Sequence, residues 1–124
     1  MNKNLKIKGI VAKGKQRGKL LGFPTANIRL IQSIPEGVYI SQTIISSTSL
    51  PSLSFVGKAE TFNEDDVKLE TYIFNFDEDL YEKEIIVELI KKIRNSQKFQ
   101  SKEKLIEQME KDKKEALEYF SDYV

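Results

Sequence analysis

The chain has 124 residues, 40% of them apolar and 31% charged, a balance that gives one globular domain a core and argues against a disordered tail. Twenty Lys and Arg against nineteen Asp and Glu leave a net charge of +1, which supplies no global attraction to nucleic acid or to an anionic membrane. Cys and His are both absent, which excludes disulfides, thiolate nucleophiles, zinc–thiolate sites, Ser–His triads and imidazole bases. Catalysis must then rest on carboxylates, Lys, Tyr, hydroxyls, backbone amides or an oxygen-bound cation.

Met1 to Lys8 is charged and lacks the apolar run of a signal peptide, and no stretch approaches the ~20 apolar residues of a membrane span. A cytoplasmic protein with no membrane partner is expected. All six Gly lie within the first 57 positions and the three Pro between 24 and 51, which predicts turns in front and regular elements behind. No repeat or linker divides the chain, so residues 1–124 read as a single domain, with strands over about 5–95 and a helix over about 101–120.

Leu5 to Ala12 alternates loosely and predicts a first strand, broken by Gly9. Lys13 to Gly22 is a Gly- and Lys-rich connection. Gly37 to Ile45 and Ser52 to Lys58 predict two strands joined by a Ser/Thr/Pro turn. Val67 to Phe76 gives the clearest strand, with Leu69, Thr71 and Ile73 on one face and Glu70, Tyr72 and Phe74 on the other. A turn at Asp77-Glu78-Asp79 precedes a last strand over Ile85 to Ile93. From Ser101, a plausible N-cap, the period becomes helical: Leu105, Met109, Ala116 and Phe120, with Ile106 and Leu117 beside them, form one stripe, and Lys111 to Glu115 reads as a mixed-charge face. Five or six strands followed by one helix predict a mainly β fold, a small antiparallel barrel with a helix packed on it.

Gly9 to Gln16 is one residue short of a P-loop, with Gln16 where a magnesium-binding hydroxyl belongs and Gly22-Phe23-Pro24 where a helix should begin. Lys13, Lys15, Arg17 and Lys19 alternate around Gly14 and Gly18, which suits close approach of backbone amides and cations to an anion; a solvated loop tip is the plainer alternative. In Pro24-Thr25-Ala26-Asn27, Pro24 fixes the chain direction, and an extended backbone turns the Thr25 hydroxyl and the Asn27 amide the same way. Both are suitable hard ligands for Mg²⁺ held against phosphates, although such a turn alone is often structural. Tyr72, Phe74 and Phe76 read as core, and the acidic runs Glu64-Asp65-Asp66 and Asp77-Glu78-Asp79 as solvated turns.

Gly14 and Gly18 followed by Leu21-Gly22-Phe23-Pro24-Thr25-Ala26-Asn27 resemble the signature of the bacterial and eukaryotic type of riboflavin kinase. Gly37-Val38-Tyr39, Gly57 with Thr61-Phe62, Leu69-Glu70-Thr71-Tyr72-Ile73, Leu80 to Lys83, Ile93-Arg94 and Lys98-Phe99 continue the pattern over residues 7 to 117. The resemblance implies a six-stranded antiparallel Greek-key barrel with a C-terminal α-helix, and transfer of the γ-phosphate of ATP to the terminal ribityl hydroxyl of riboflavin, giving FMN and ADP. It also implies Glu70 as the catalytic base, and Gly14, Lys15, Gly18, Lys19, Gly22, Pro24, Thr25 and Asn27 as ATP-binding residues. Thr25 and Asn27 would hold Mg²⁺ or another divalent cation, and Arg94 and Phe99 would bind the flavin. A monomer without a nucleic-acid partner is expected, and without the adenylyltransferase domain fused to many bacterial members no FAD synthesis is expected.

The chain departs from the family pattern at Lys19, at Ala59-Glu60, at Ser96, and at Glu82, where Gly is frequent. The differences around Glu60, Glu82 and Ser96 motivate the alternative of a catalytically impaired flavin- or nucleotide-binding barrel. A barrel that binds single-stranded nucleic acid, with Lys13 to Lys19 and the strand aromatics as its surface, is a third reading, opposed by the net charge.

Overall fold

Alternating side chains build six strands, and a helical period builds one helix. In the computed structural model, which describes residues 4–12, 24–30, 32–58, 67–76 and 78–121, these are β1 (Leu5–Ala12), β2 (Ala26–Ile28), β3 (Gly37–Ile45), β4 (Thr48–Gly57), β5 (Lys68–Ile73), β6 (Glu84–Arg94) and α1 (Lys102–Ser121). The strands close in the order β1-β2-β5-β4-β3-β6, every neighbouring pair antiparallel. β3, β4 and β5 are consecutive neighbours, and β6 returns to lie beside β3, which is a Greek key; its pairing with β1 closes the barrel and removes the sheet edges. Among the described residues no helix is long and apolar enough to cross a membrane.

Alternation divides each wall into an inner and an outer face. Ile7, Val11, Ile28, Val56, Leu69 and Val87 fill the interior, and each large apolar side chain so buried contributes roughly 1.5–3 kcal/mol. A second cluster on the outer face (Val38, Ile40, Leu53, Phe74) receives Ala116 of α1, with Tyr72, Tyr119 and Phe120 at its margin. Tyr39 reaches from β3 to donate its hydroxyl to the Pro35 carbonyl at 2.6 Å, and burial pushes its pKa above the ordinary tyrosine value.

Part of the interior is polar. Thr43 Oγ1 donates to Ser52 Oγ at 2.9 Å; Ser52 and Ser41 are 2.7 Å apart, Ser41 and Ser54 2.7 Å, and Ser54 and Thr71 2.9 Å. All five are at most 1% exposed, so each hydroxyl finds in the next the partner that water would have supplied. Ser41 faces Ser52, and Ser54 faces Thr71, directly across their ladders, which ties this chain of hydroxyls to the strand register.

Four sequence expectations are corrected. Gly9 does not break β1: it pairs with Ile85, and a Cβ there would stand 2.6 Å from Ile28 Cγ2, so glycine serves a close approach of β2. The β3–β4 connection is a two-residue turn at Ser46 and Ser47, both with positive φ (47° and 72°), rather than a Ser/Thr/Pro loop, and β4 begins at Thr48 rather than Ser52. Pro51 is accommodated because its carbonyl faces the β5 side, accepting Phe74 N at 3.1 Å, so its missing N–H falls outside the β3 ladder. β5 stops at Ile73 instead of Phe76, since Asn75 takes a left-handed φ of 55°.

The helix carries the fourth correction. Ser101 caps it as expected, accepting Lys104 N at 3.2 Å. Leu117, assigned to the apolar stripe, is instead 44% exposed, and Asp112, within the supposed mixed-charge face, is 3% exposed. Asp112 and Ala116 lie one turn apart and are the two buried residues of α1, so the contact line passes through them and rotates Leu117 away from the barrel. Lys13–Gly22, Phe23, Ala59-Glu60, Thr61-Phe62, Glu64-Asp65-Asp66 and Asp77 lie outside the described residues.

Candidate active site

One row of paired residues crosses five strands. Asn27 of β2 faces Glu70 of β5, Glu70 faces Phe55 of β4, Phe55 faces Val38 of β3, and Val38 faces Arg94 of β6. Glu70 lies between the interior residues Leu69 and Thr71, so its side chain is on the outer face; Asn27, between the core-packed Ala26 and Ile28, shares that face. Directly opposed residues bring their Cβ atoms within about 4.5–5.5 Å, so a carboxylate and an amide are neighbours here by register alone.

The Asn27 side chain carries the most informative atom of this face. Asn27 is 9% exposed, and among the described residues its Oδ1 is buried without a hydrogen-bond partner. A buried amide oxygen left so costs about 1–3 kcal/mol, a cost that a ligand would offset. Thr25, two residues earlier and half-buried, precedes β2 after the exposed Pro24. An amide oxygen and a hydroxyl on one extended segment fit a hard divalent cation, and among the described residues no three acidic side chains gather to make a protein-only metal site.

At the far end of the row, the pairing of β3 and β6 slips: Tyr39 faces Lys92 while Val38 faces Arg94, leaving Ile93 as an extra residue. This bulge lets Ile93 pack in the outer cluster while Arg94 also reaches the helix. Arg94 Nε donates to Asp112 Oδ1 and Oδ2 at 2.9 and 3.0 Å, Nη2 to Oδ2 at 2.8 Å, and Nη1 to the Asn95 carbonyl at 3.2 Å. Gln108 Nε2 adds a 3.0 Å bond to Asp112 Oδ1. The guanidinium carbon stands 5.7 Å from the centroid of the Phe99 ring.

Asn27 and Glu70 are therefore brought together, as are Arg94 and Phe99, about three interstrand spacings (roughly 14 Å) from Glu70 along the wall. Gly14, Lys15, Gly18, Lys19 and Gly22 lie outside the described residues. Sequence reasoning missed Phe55, half-buried beside Glu70, and Asp112. A signal for Asp112 was present: positions 105, 109, 112 and 116 continue a helical stripe in which 112 is the one charged member.

The family model for riboflavin kinase (Flavokinase) matches residues 1–120 of this chain. The chain belongs to the riboflavin kinase family. It is 43% identical over 117 residues to the trifunctional protein RibF/MnmA of Mycoplasmoides gallisepticum, covering 92% of this chain and 18% of that one. To the bifunctional riboflavin kinase/FMN adenylyltransferase of Bacillus subtilis it is 39% identical over 121 residues, covering 93% of this chain and 38% of that one. The chain thus spans well under half the length of these relatives. The crystal structure of riboflavin kinase from Trypanosoma brucei superposes with a TM-score of 0.63 at 20% identity, over 94% of this chain and 79% of that one, which is a likeness of fold.

Proposed function

We propose that this chain phosphorylates riboflavin, transferring the γ-phosphate of ATP to the terminal ribityl hydroxyl to give FMN and ADP. The observation that carries the reading is the direct pairing of Glu70 with Asn27, whose amide oxygen is buried and unpartnered among the described residues. Family membership supplies the reaction class; this pair supplies an acceptor for a proton beside a ligand for a cation.

Glu70 accepts the proton of the ribityl hydroxyl as that oxygen bonds to the γ-phosphorus, and the bond from phosphorus to the β–γ bridging oxygen breaks to release ADP. Asn27 Oδ1 and the Thr25 hydroxyl would hold a divalent cation, which when bound neutralises phosphate charge as it shifts to the leaving group. Gly14, Lys15, Gly18, Lys19, Gly22 and Pro24 would bind the phosphates of ATP. Arg94 and Phe99 receive the flavin ring. On this reading the protein works in the cytoplasm as a monomer, with riboflavin and ATP as its partners and neither nucleic acid nor membrane.

The test is incubation of pure protein with riboflavin, ATP and Mg²⁺, with flavins resolved by chromatography. FMN and ADP accumulating in equal amounts supports the assignment. Folded protein that binds riboflavin yet forms no FMN with any nucleoside triphosphate or divalent cation returns the impaired barrel to consideration, although no finding favours it at present.

A further inference from the structure

Arg94 is described above as a flavin contact, but most of its hydrogen bonding is spent within the protein. The Nε edge of the guanidinium is closed by Asp112, in a side-on bidentate pair that also takes one N–H of Nη2. One N–H of Nη1 goes to the Asn95 carbonyl. Of the five N–H groups, one on each terminal nitrogen remains, with no partner among the described residues. Those two are the donors that Arg94 keeps for a ligand, and Phe99 lies against the group at 5.7 Å.

Asp112 itself is saturated. Its two oxygens accept three bonds from Arg94 and one from Gln108, and the residue is 3% exposed. A buried ion pair is a weak source of stability compared with apolar packing of similar volume, so stability alone is a poor account of a carboxylate in the middle of a helix contact line. What the pair provides is orientation. An arginine on a bulged strand end has four free torsions; two bonds from one carboxylate fix the plane of its guanidinium.

We propose that Asp112 is a positioning residue of the flavin site: it holds Arg94 in one plane, so that the remaining pair of N–H donors is presented, beside Phe99, to the carbonyl edge of the flavin ring. The inference rests on the riboflavin reading. It gives α1 a part in substrate recognition beyond covering the barrel's outer face.

The experiment is steady-state kinetics of the full chain, varying riboflavin and Mg²⁺–ATP in turn, for the wild type and Asp112→Asn, with folding followed by circular dichroism. Loss of the charge-assisted pair is expected to raise the KM for riboflavin about 10-fold or more, with kcat and the KM for ATP nearly unchanged. A folded Asp112→Asn with the wild-type KM for riboflavin, or with both KM values raised together, overturns the proposal, because a structural defect alone does not discriminate between the substrates. Should Asn prevent folding, Asp112→Glu keeps the buried charge paired while displacing the carboxylate. A several-fold rise in the riboflavin KM alone supports the proposal there, and unchanged constants overturn it. A wild-type chain that neither binds nor phosphorylates riboflavin overturns the functional reading and this inference with it; an active wild type with unselective variants overturns the inference only.

Discussion

Asn27 and Glu70 face each other across the β2–β5 ladder, one with a buried amide oxygen unpartnered among the described residues and the other with a carboxylate. Both stand on the outer wall of the barrel, where the core imposes no demand for an amide or an acid. Chemistry at this place accounts for two polar residues side by side better than packing does.

Glu70→Gln should fold as the wild type does and lose about 10²–10⁴-fold in turnover, the usual scale for a positioned base. Glu70 is half-buried on the outer face and Gln keeps its shape, so the variant should keep the fold at a cost of at most about 1–3 kcal/mol. Measuring kcat together with a urea midpoint separates the two effects; full activity in this variant would remove Glu70 from the reaction.

Asn27→Leu should trade function for stability. The substitution keeps the branched shape of the side chain while replacing the orphaned oxygen by a bulkier methyl, and where the outer face gives room, relieving the polar penalty should raise stability by about 1 kcal/mol in the absence of ligand. Binding of Mg²⁺–ATP should weaken in the same variant. Denaturant unfolding and nucleotide titration should move in opposite directions; unchanged binding of Mg²⁺–ATP by Asn27→Leu would remove Oδ1 from the site.

Glu82→Gly should stabilise the protein. Glu82 has φ of 68°, in a turn pinned to β1 by Glu82 N to Val11 O and Val11 N to Lys83 O, both 2.9 Å. A side chain in that region costs about 1–2 kcal/mol, and the greater freedom of glycine in the unfolded chain returns roughly half of the gain. A rise of about 0.5–1 kcal/mol in urea unfolding is expected with unchanged turnover, since the residue lies outside the proposed machinery.

Ser54→Ala should be costly for its size. Ser54 joins Ser41 to Thr71, so its removal takes from the buried Thr71 hydroxyl its partner in the chain and leaves Ser41 with Ser52 alone, at about 1–3 kcal/mol. An equilibrium unfolding curve that matches the wild type would show that the buried hydroxyls find other partners.

Much of the barrel could be read from alternation. Leu69, Thr71 and Ile73 lie inward as their period requires, and β1 and β3 keep their expected limits, because short-range pattern and long-range packing agree there. Disagreement came where a tertiary partner overrode local chemistry. Pro51 looks like a terminator until the end of β5 is seen beside it, and Ser46-Ser47 lacks the glycine that usually marks a two-residue turn. In the candidate site, Asn27 and Glu70 were found by motif, but their apposition depends on a register between strands more than 40 residues apart, which no local signal carries. Asp112 did leave a local trace in the helical stripe, but a charge in a helix reads as wet until its partner is known.

The staves of the barrel are unequal, and the shortest borders the site. β2 is three residues long, with two Cα pairs to β1 and three to β5, whereas β3 and β4 share nine. Amide protons around Asn27 should therefore exchange with solvent well before those of β3 and β4, in a local opening that leaves the Glu70 wall intact. The Asn27 side of the wall would then breathe against a rigid Glu70 side, and a nucleotide bound there would act as the clasp that shuts the seam.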